Sequence, residues 1–133
     1  MHIGVLLLTH DDFAHQLVDA QQSPDVDSVL PLRAMAIHQE MGASVLGHHL
    51  SLKIRELDQG AGVLVLCDQI SDALSVALSE AARETLLMVV AGLNHAMFNA
   101  VLAEPNHDLA AQSQRVLQAG KNAIREFSMP MPD

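Results

Sequence analysis

Three uninterrupted apolar runs constrain the fold of this 133-residue sequence more than any other feature. They are Ile3–Leu8, Gly62–Cys67 and Leu86–Ala91, and none of them alternates with polar residues. Such runs are typical of strands that are buried on both faces of a sheet. Residues at helical spacing follow each run, so the chain predicts an α/β fold: an open, doubly wound, mainly parallel sheet of about four strands with helices on both faces.

The remaining elements complete this pattern within a single domain over residues 1–133. A less apolar stretch, Val26–Leu32, predicts a short strand near an edge of the sheet, after a break at residues 23–25. The Pro-containing tail, Ser128–Asp133, is expected to be extended. The first helix is predicted to have Asp11 and Asp12 in its first turn. Further helices are predicted over Met41–Leu57, over Asp72–Arg83, after Asn94 and over Asp108–Phe127.

Composition indicates a soluble protein of a reducing compartment. Half of the residues are hydrophobic, which is enough to build a core without disulfides. The one cysteine, Cys67, lies in an apolar run and is expected to be inert packing. We see no secretory signal and no stretch of the ~20 apolar residues that a membrane span needs. We therefore expect a cytoplasmic domain without direct membrane insertion.

The charge balance excludes several classes of partner. With a net charge of −9 and neither Trp nor Tyr, the chain would repel nucleic-acid phosphates and has few rings on which bases could stack. The eight histidines are many for this length, but they show no diagnostic metal spacing. We therefore predict no nucleic-acid partner, no metal and no organic cofactor.

Two polar residues stand where parallel strands would end. His10 follows the first apolar run and Asp68 follows the second. If these strands are neighbours, both side chains flank the point where strand order reverses, the usual ligand site of such sheets. A neutral imidazole is a competent nucleophile, and a carboxylate on one ring nitrogen would leave the other free to attack. A helix beginning close to His10 would favour a phosphoryl group.

Plain structural roles remain open for these residues. His10 could be a simple strand-end histidine, and Asp68 could cap a helix. Ser71 and Asp72 could cap the helix that follows them, and Asn94 could cap the next one.

Three segments carry a resemblance to a known family: GVLLLTH at Gly4–His10, LDQGAGVLVLCD at Leu57–Asp68 and VVAGLN at Val89–Asn94. In order and spacing the chain resembles the IIA component of the mannose family of the bacterial sugar phosphotransferase system. The resemblance implies that His10 accepts a phosphoryl group from the phosphocarrier HPr and passes it to a IIB partner. It also implies that Asp68 orients His10, and that the protein is a homodimer that exchanges a strand near the C-terminus.

The chain departs from the family around the implied phosphate site. The family usually follows its aspartate with a glycine-rich turn that ends in Ser-Pro, whereas Gln69–Leu74 here reads QISDAL. The residue after the histidine, commonly glycine, is Asp11, and the family's Asn-x-Pro-Met appears as NHAM at Asn94–Met97. The candidate phosphate-binding residues, through main chain or side chain, are Asp11, Asp12, Phe13, Gln69, Ser71 and Asp72.

The leading prediction is a phosphotransferase component that carries a phosphoryl group on His10, with Asp68 as the second catalytic residue. The first alternative is a regulatory or sensor module of an incomplete phosphotransferase system, which the altered loop favours. The second alternative is a phosphate-relay subunit of a dihydroxyacetone-type kinase.

Overall fold

A computed structural model describes residues 1–21, 30–38 and 40–133 of the chain. Four parallel strands form one sheet in the order β2-β1-β3-β4, and they are β1 (Gly4–Thr9), β2 (Leu32–Ala36), β3 (Val63–Cys67) and β4 (Leu87–Ala91). Five helices accompany them: α1 (Phe13–Ala20), α2 (Ala43–Leu57), α3 (Asp72–Ala81), α4 (His95–Ala103) and α5 (Leu109–Ala123). The α/β fold and the parallel sheet predicted from the sequence are confirmed.

The two central strands are the most apolar segments of the chain. Every residue of β1 and β3 is buried, whereas β2 and β4 each have a residue that is exposed to solvent. Separate core clusters lie on the two faces of the sheet, one under α1, α4 and α5 and the other under α2 and α3. The strand order reverses between β1 and β3, where Leu8 lies opposite Cys67.

The second strand lies further along the chain than its predicted position. It spans Leu32–Ala36, so only Leu32 is shared with the predicted Val26–Leu32. The predicted break at residues 23–25 and most of the predicted strand lie outside the described residues. An edge strand needs only one buried face, and here Met35 alone is fully buried. This weak apolar pattern explains why sequence reasoning misplaced it.

The last helix ends earlier than predicted. Ile124 adopts an extended conformation directly after α5, so the helix does not reach Phe127. Residues 124–133 form no helix and no strand within the described chain. Their apolar side chains are largely exposed, with Ile124 at 80% and Phe127 at 83%. Their exchange with a second subunit stays a prediction.

None of the helices in the part of the chain that the structure describes is both long enough and apolar enough to cross a membrane.

Candidate functional site

The reversal of strand order places His10 beside Asp68. His10 directly follows β1, and Asp68 directly follows β3. The main-chain N–H of Asp68 donates to Leu8 O at 3.3 Å, which extends the pairing of the strands by one residue. The main-chain N–H of His10 donates to Asp68 Oδ2 at 2.9 Å. The backbone of His10 is therefore held by the same side chain that meets its ring.

The imidazole of His10 is fixed through one nitrogen. Its Nδ1 lies 2.9 Å from Asp68 Oδ1. Because an ionised carboxylate only accepts hydrogen bonds, Nδ1 carries the proton and the lone pair of the neutral ring is on Nε2. Nε2 is shielded from solvent and has no hydrogen-bond partner among the described residues. The ring thus offers an oriented nitrogen that the described chain leaves without a partner.

Hydrogen bonds keep Asp68 ionised. Partial burial alone would raise the pKa of this carboxyl, since the charged form loses hydration. The main-chain N–H and the ring of His10, together with the main-chain N–H of Gln69 at 2.8 Å, outweigh that effect and lower the pKa below its usual value. Asp68 is therefore negatively charged at neutral pH and can stabilise a positive charge on the imidazole.

Some of the alternative structural roles are observed. Ser71 Oγ accepts from Leu74 N at 3.2 Å and caps α3, so Asp68 is not the cap of that helix. Asn94 Oδ1 accepts from Met97 N at 3.1 Å and caps α4. Asp72 is the first residue of α3.

The turn between His10 and α1 is closed by its own side chains. Thr9 Oγ1 donates to Asp11 O at 2.8 Å and accepts from Ala14 N at 3.0 Å. Asp11 Oδ1 accepts from Phe13 N at 2.9 Å. Asp12 is the N-cap residue but makes no capping hydrogen bond, so the expected place of both aspartates in the first turn is wrong. They precede the helix.

Two of the predicted main-chain phosphate donors already have partners. Phe13 N–H is bonded to Asp11, and Gln69 N–H is bonded to Asp68. Sequence reasoning also missed Thr9, which is fully buried and orders this turn. A hydroxyl residue at the end of an otherwise apolar strand is the signal that could have revealed it.

A second histidine lies at the same edge of the sheet. The rings of Phe13 and His95 meet edge to face, with centroids 6.2 Å apart. Because each begins its helix, the contact brings the starts of α1 and α4 together. His95 is itself exposed.

Cys67 matches its predicted packing role. It is fully buried, and burial together with the neighbouring Asp68 charge raises the pKa of its thiol to about 11. The thiol therefore stays protonated and poorly nucleophilic at neutral pH.

Two surface cavities formed by the described residues lie away from the site. These cavities, of about 470 and 310 Å³, are lined by residues of α2, α3 and β2 and by Met41 and Glu84, not by His10 or Asp68. In the described ranges, no three His, Cys, Asp or Glu side chains are grouped so that they could hold a metal ion.

A protein-family model described as the PTS system fructose IIA component matches residues 4–117. The chain belongs to this family. The match spans all four strands of the IIA-like sheet, the His10–Asp68 pair and the first half of α5. A search of the curated proteins found no significant match.

Solved structures support the family fold. The mannose/sorbose specific IIA subunit of the phosphotransferase system from Enterococcus faecalis has a TM-score of 0.79 at 22% identity, with 100% of both chains covered. The phosphotransferase system component EIIA from Streptococcus agalactiae has a TM-score of 0.75 at 14% identity, covering 94% of this chain and 97% of that one. A sigma-54 interaction domain protein from Enterococcus faecalis has a TM-score of 0.74 at 15% identity, covering 91% and 92%.

Proposed function

We propose that this IIA-like protein carries a phosphoryl group on His10 Nε2, received from phospho-HPr and passed to a IIB-type partner in the cytoplasm. The observation that carries the proposal is the state of the imidazole. One nitrogen is held by an ionised carboxylate, and the other has no partner among the described residues.

The transfer step follows from this geometry. The lone pair of Nε2 attacks the phosphorus atom, a P–N bond forms, and the bond that held the phosphoryl group to its donor breaks. The ring becomes positively charged because Nδ1 keeps its proton. Asp68 stabilises that cation through a charge-assisted hydrogen bond, a type that contributes about 1.5–3 kcal/mol. The reverse step delivers the phosphoryl group to the acceptor and regenerates the neutral ring.

The setting of the pair fits a protein partner better than a small substrate. The side chains of His10 and Asp68 are 25% and 29% exposed, and they line neither of the two cavities described above. A docked protein surface can enclose such a site, exclude water and keep the phosphoryl group from hydrolysis. Because Nε2 is shielded from solvent, a side-chain movement must expose it before any donor can react.

We also propose that the protein is a homodimer that exchanges its C-terminal tail, and exposed apolar residues support this. The tail has Phe127, Met129 and Met131 exposed at 83%, 69% and 88%. The outer strand β4 also exposes Met88, and Leu86 just before it is 67% exposed. Pairing of the tail with the β4 edge of a second copy would cover both. Sedimentation analysis of the full chain and of a chain that ends after residue 123 tests this, because only the full chain should dimerise.

The decisive experiment is phosphorylation by phosphoenolpyruvate, enzyme I and HPr. We expect an acid-labile, alkali-stable phosphate on the wild type and none on His10→Ala. His15→Ala is the matched control, since it removes an exposed histidine of α1 and should leave labelling intact. Absence of label on the folded wild type, with a known IIA protein labelled in parallel, would refute the proposal.

A second candidate is a regulatory module that keeps the same phosphorylatable histidine. The fold likeness to a sigma-54 interaction domain protein favours it. So does the turn after His10, whose N–H groups at Phe13 and Ala14 are bonded to the chain itself. Delivery of phosphate from the labelled protein to a IIB protein distinguishes the candidates, because a regulatory module should be labelled without passing its phosphate on.

A further inference from the structure

Asp11 directly follows His10 in the chain, and its side chain is bonded within the same turn. Its carboxylate accepts a hydrogen bond from Phe13 N at 2.9 Å, directly at the start of α1. Its main-chain oxygen accepts from the buried Thr9 hydroxyl, which in turn accepts from Ala14 N. The carboxylate is therefore held in the turn that follows His10.

Four main-chain N–H groups at or just after His10 and Asp68 are bonded to oxygens of this chain. Phe13 donates to Asp11 and Ala14 donates to Thr9. His10 itself and Gln69 both donate to Asp68. A phosphoryl group on Nε2 would need hydrogen-bond donors for its oxygens, and it would gain a further donor if one of these four contacts opened. Of the four, the contact of the exposed Asp11 side chain is the easiest to break.

We propose that Asp11 limits how strongly His10 holds its phosphoryl group. The carboxylate occupies the Phe13 N–H that the phosphoryl oxygens could otherwise use, and its charge repels them. The inference rests on the proposed phosphoryl transfer and adds the regulation of that site. With Asp11 in place, the phosphorylated protein readily transfers the phosphoryl group to its acceptor or back to its donor.

The size of the effect follows from charge and exposure. Asp11 is exposed, so water screens its repulsion of a nearby phosphoryl group to a fraction of the value inside a protein. With the Phe13 N–H released as well, removal of the carboxylate should raise the equilibrium constant for phosphorylation by roughly three- to tenfold.

The test compares Asp11→Ala with Asp12→Ala. Both variants remove one exposed negative charge from the same turn, but only the first frees Phe13 N–H, because Asp12 makes no capping hydrogen bond. The fraction of phosphorylated protein at equilibrium with phospho-HPr is measured for the wild type, both variants and His10→Ala. The initial rate of phosphorylation by phosphoramidate, a small donor that needs no partner protein, is measured in parallel.

We expect the equilibrium constant for phosphorylation to rise three- to tenfold for Asp11→Ala and by less than half as much for Asp12→Ala. Equal values for the two variants, or no rise for Asp11→Ala, would overturn the inference while leaving phosphoryl transfer itself established. A faster reaction of Asp11→Ala with phosphoramidate, without labelling of any form by HPr, would support the inference and refute HPr as donor. No label on His10 from either donor would refute both.

Discussion

Replacement of Asp68 by Asn tests the pair at the centre of the site. Three N–H groups point at the carboxylate: the main chain of His10 at 2.9 Å, the His10 ring at 2.9 Å and the main chain of Gln69 at 2.8 Å. An amide has one oxygen to accept them, and its NH₂ group would face a donor. Hydrogen bonds to a charged group contribute about 1.5–3 kcal/mol each when buried. Because the Asp68 side chain is 29% exposed, hydrogen bonds to water replace part of the lost interaction. We therefore expect the free energy of unfolding to fall by about 2–3 kcal/mol.

The same substitution should also impair the proposed phosphoryl transfer. Without the carboxylate, neither the Nδ1–H tautomer nor the imidazolium formed in the reaction is stabilised. We expect the rate of phosphorylation by phospho-HPr to fall by about 100-fold or more, the scale typical of a lost acid–base partner.

Urea unfolding followed by far-UV circular dichroism measures the first effect, since the sequence has no Trp or Tyr for fluorescence. The matched control is Asp58→Asn at the opposite end of β3, whose carboxylate accepts from Gly60 N at 2.8 Å and Gly62 N at 3.2 Å. It should lower stability by about 1 kcal/mol and leave phosphorylation unchanged. An Asp68→Asn protein that unfolds like the wild type and accepts phosphate at the wild-type rate would show that the pair has no role.

Three further results are expected. Gly4→Ala should lower the free energy of unfolding by more than about 2 kcal/mol, because the added Cβ would lie 2.6 Å from Leu57 O. Gly47→Ala, in the interior of α2, should raise it by about 0.5–1 kcal/mol, because the nearest atom to the added Cβ is 4.0 Å away. Thermal melts measure both effects. Thr9→Val should lower the free energy of unfolding, measured in urea, by about 1–3 kcal/mol, because it leaves the buried Ala14 N–H and the partly buried Asp11 C=O without their partner. Thr9→Ser should restore most of this loss. The pKa of Asp68 is lower in the folded chain than in the unfolded one, so the ionised side chain contributes to stability above about pH 4 and this contribution is lost as the pH falls further. The difference in stability between the wild type and Asp68→Asn should therefore shrink on acidification. A difference that grows would contradict the direction of the pKa shift.

The central strands were predictable because burial on both faces requires an uninterrupted run of apolar residues in the sequence. β1, β3 and β4 lie within a residue of their apolar runs. The edge strand β2 has a weaker apolar pattern, because only one of its residues, a methionine, is buried. The end of α5 was missed because Ile124 and Phe127 continue a helical spacing, although their side chains contact solvent and not the core.

The positions of His10 and Asp68 were predictable from topology, given that β1 and β3 are neighbours. The acceptors to which individual main-chain N–H groups donate were not predictable. The bonds of Phe13 to Asp11 and of Gln69 to Asp68 depend on turn geometry over two or three residues. No periodic pattern records such geometry, because short polar side chains reach backbone groups in many different turn conformations.

The pairing of β1 with β3 has a consequence for how this protein can diverge. His10 and Asp68 are placed by two fully buried strands, and the hydrogen bond from Asp68 N to Leu8 O belongs to that same framework. The segments that follow each residue can therefore change in length and sequence without separating the two side chains. The rim of the site can therefore vary in sequence between related proteins, and under the proposed function the choice of partner and the lifetime of the phosphoryl group would vary with it, while the His10–Asp68 pair keeps its geometry.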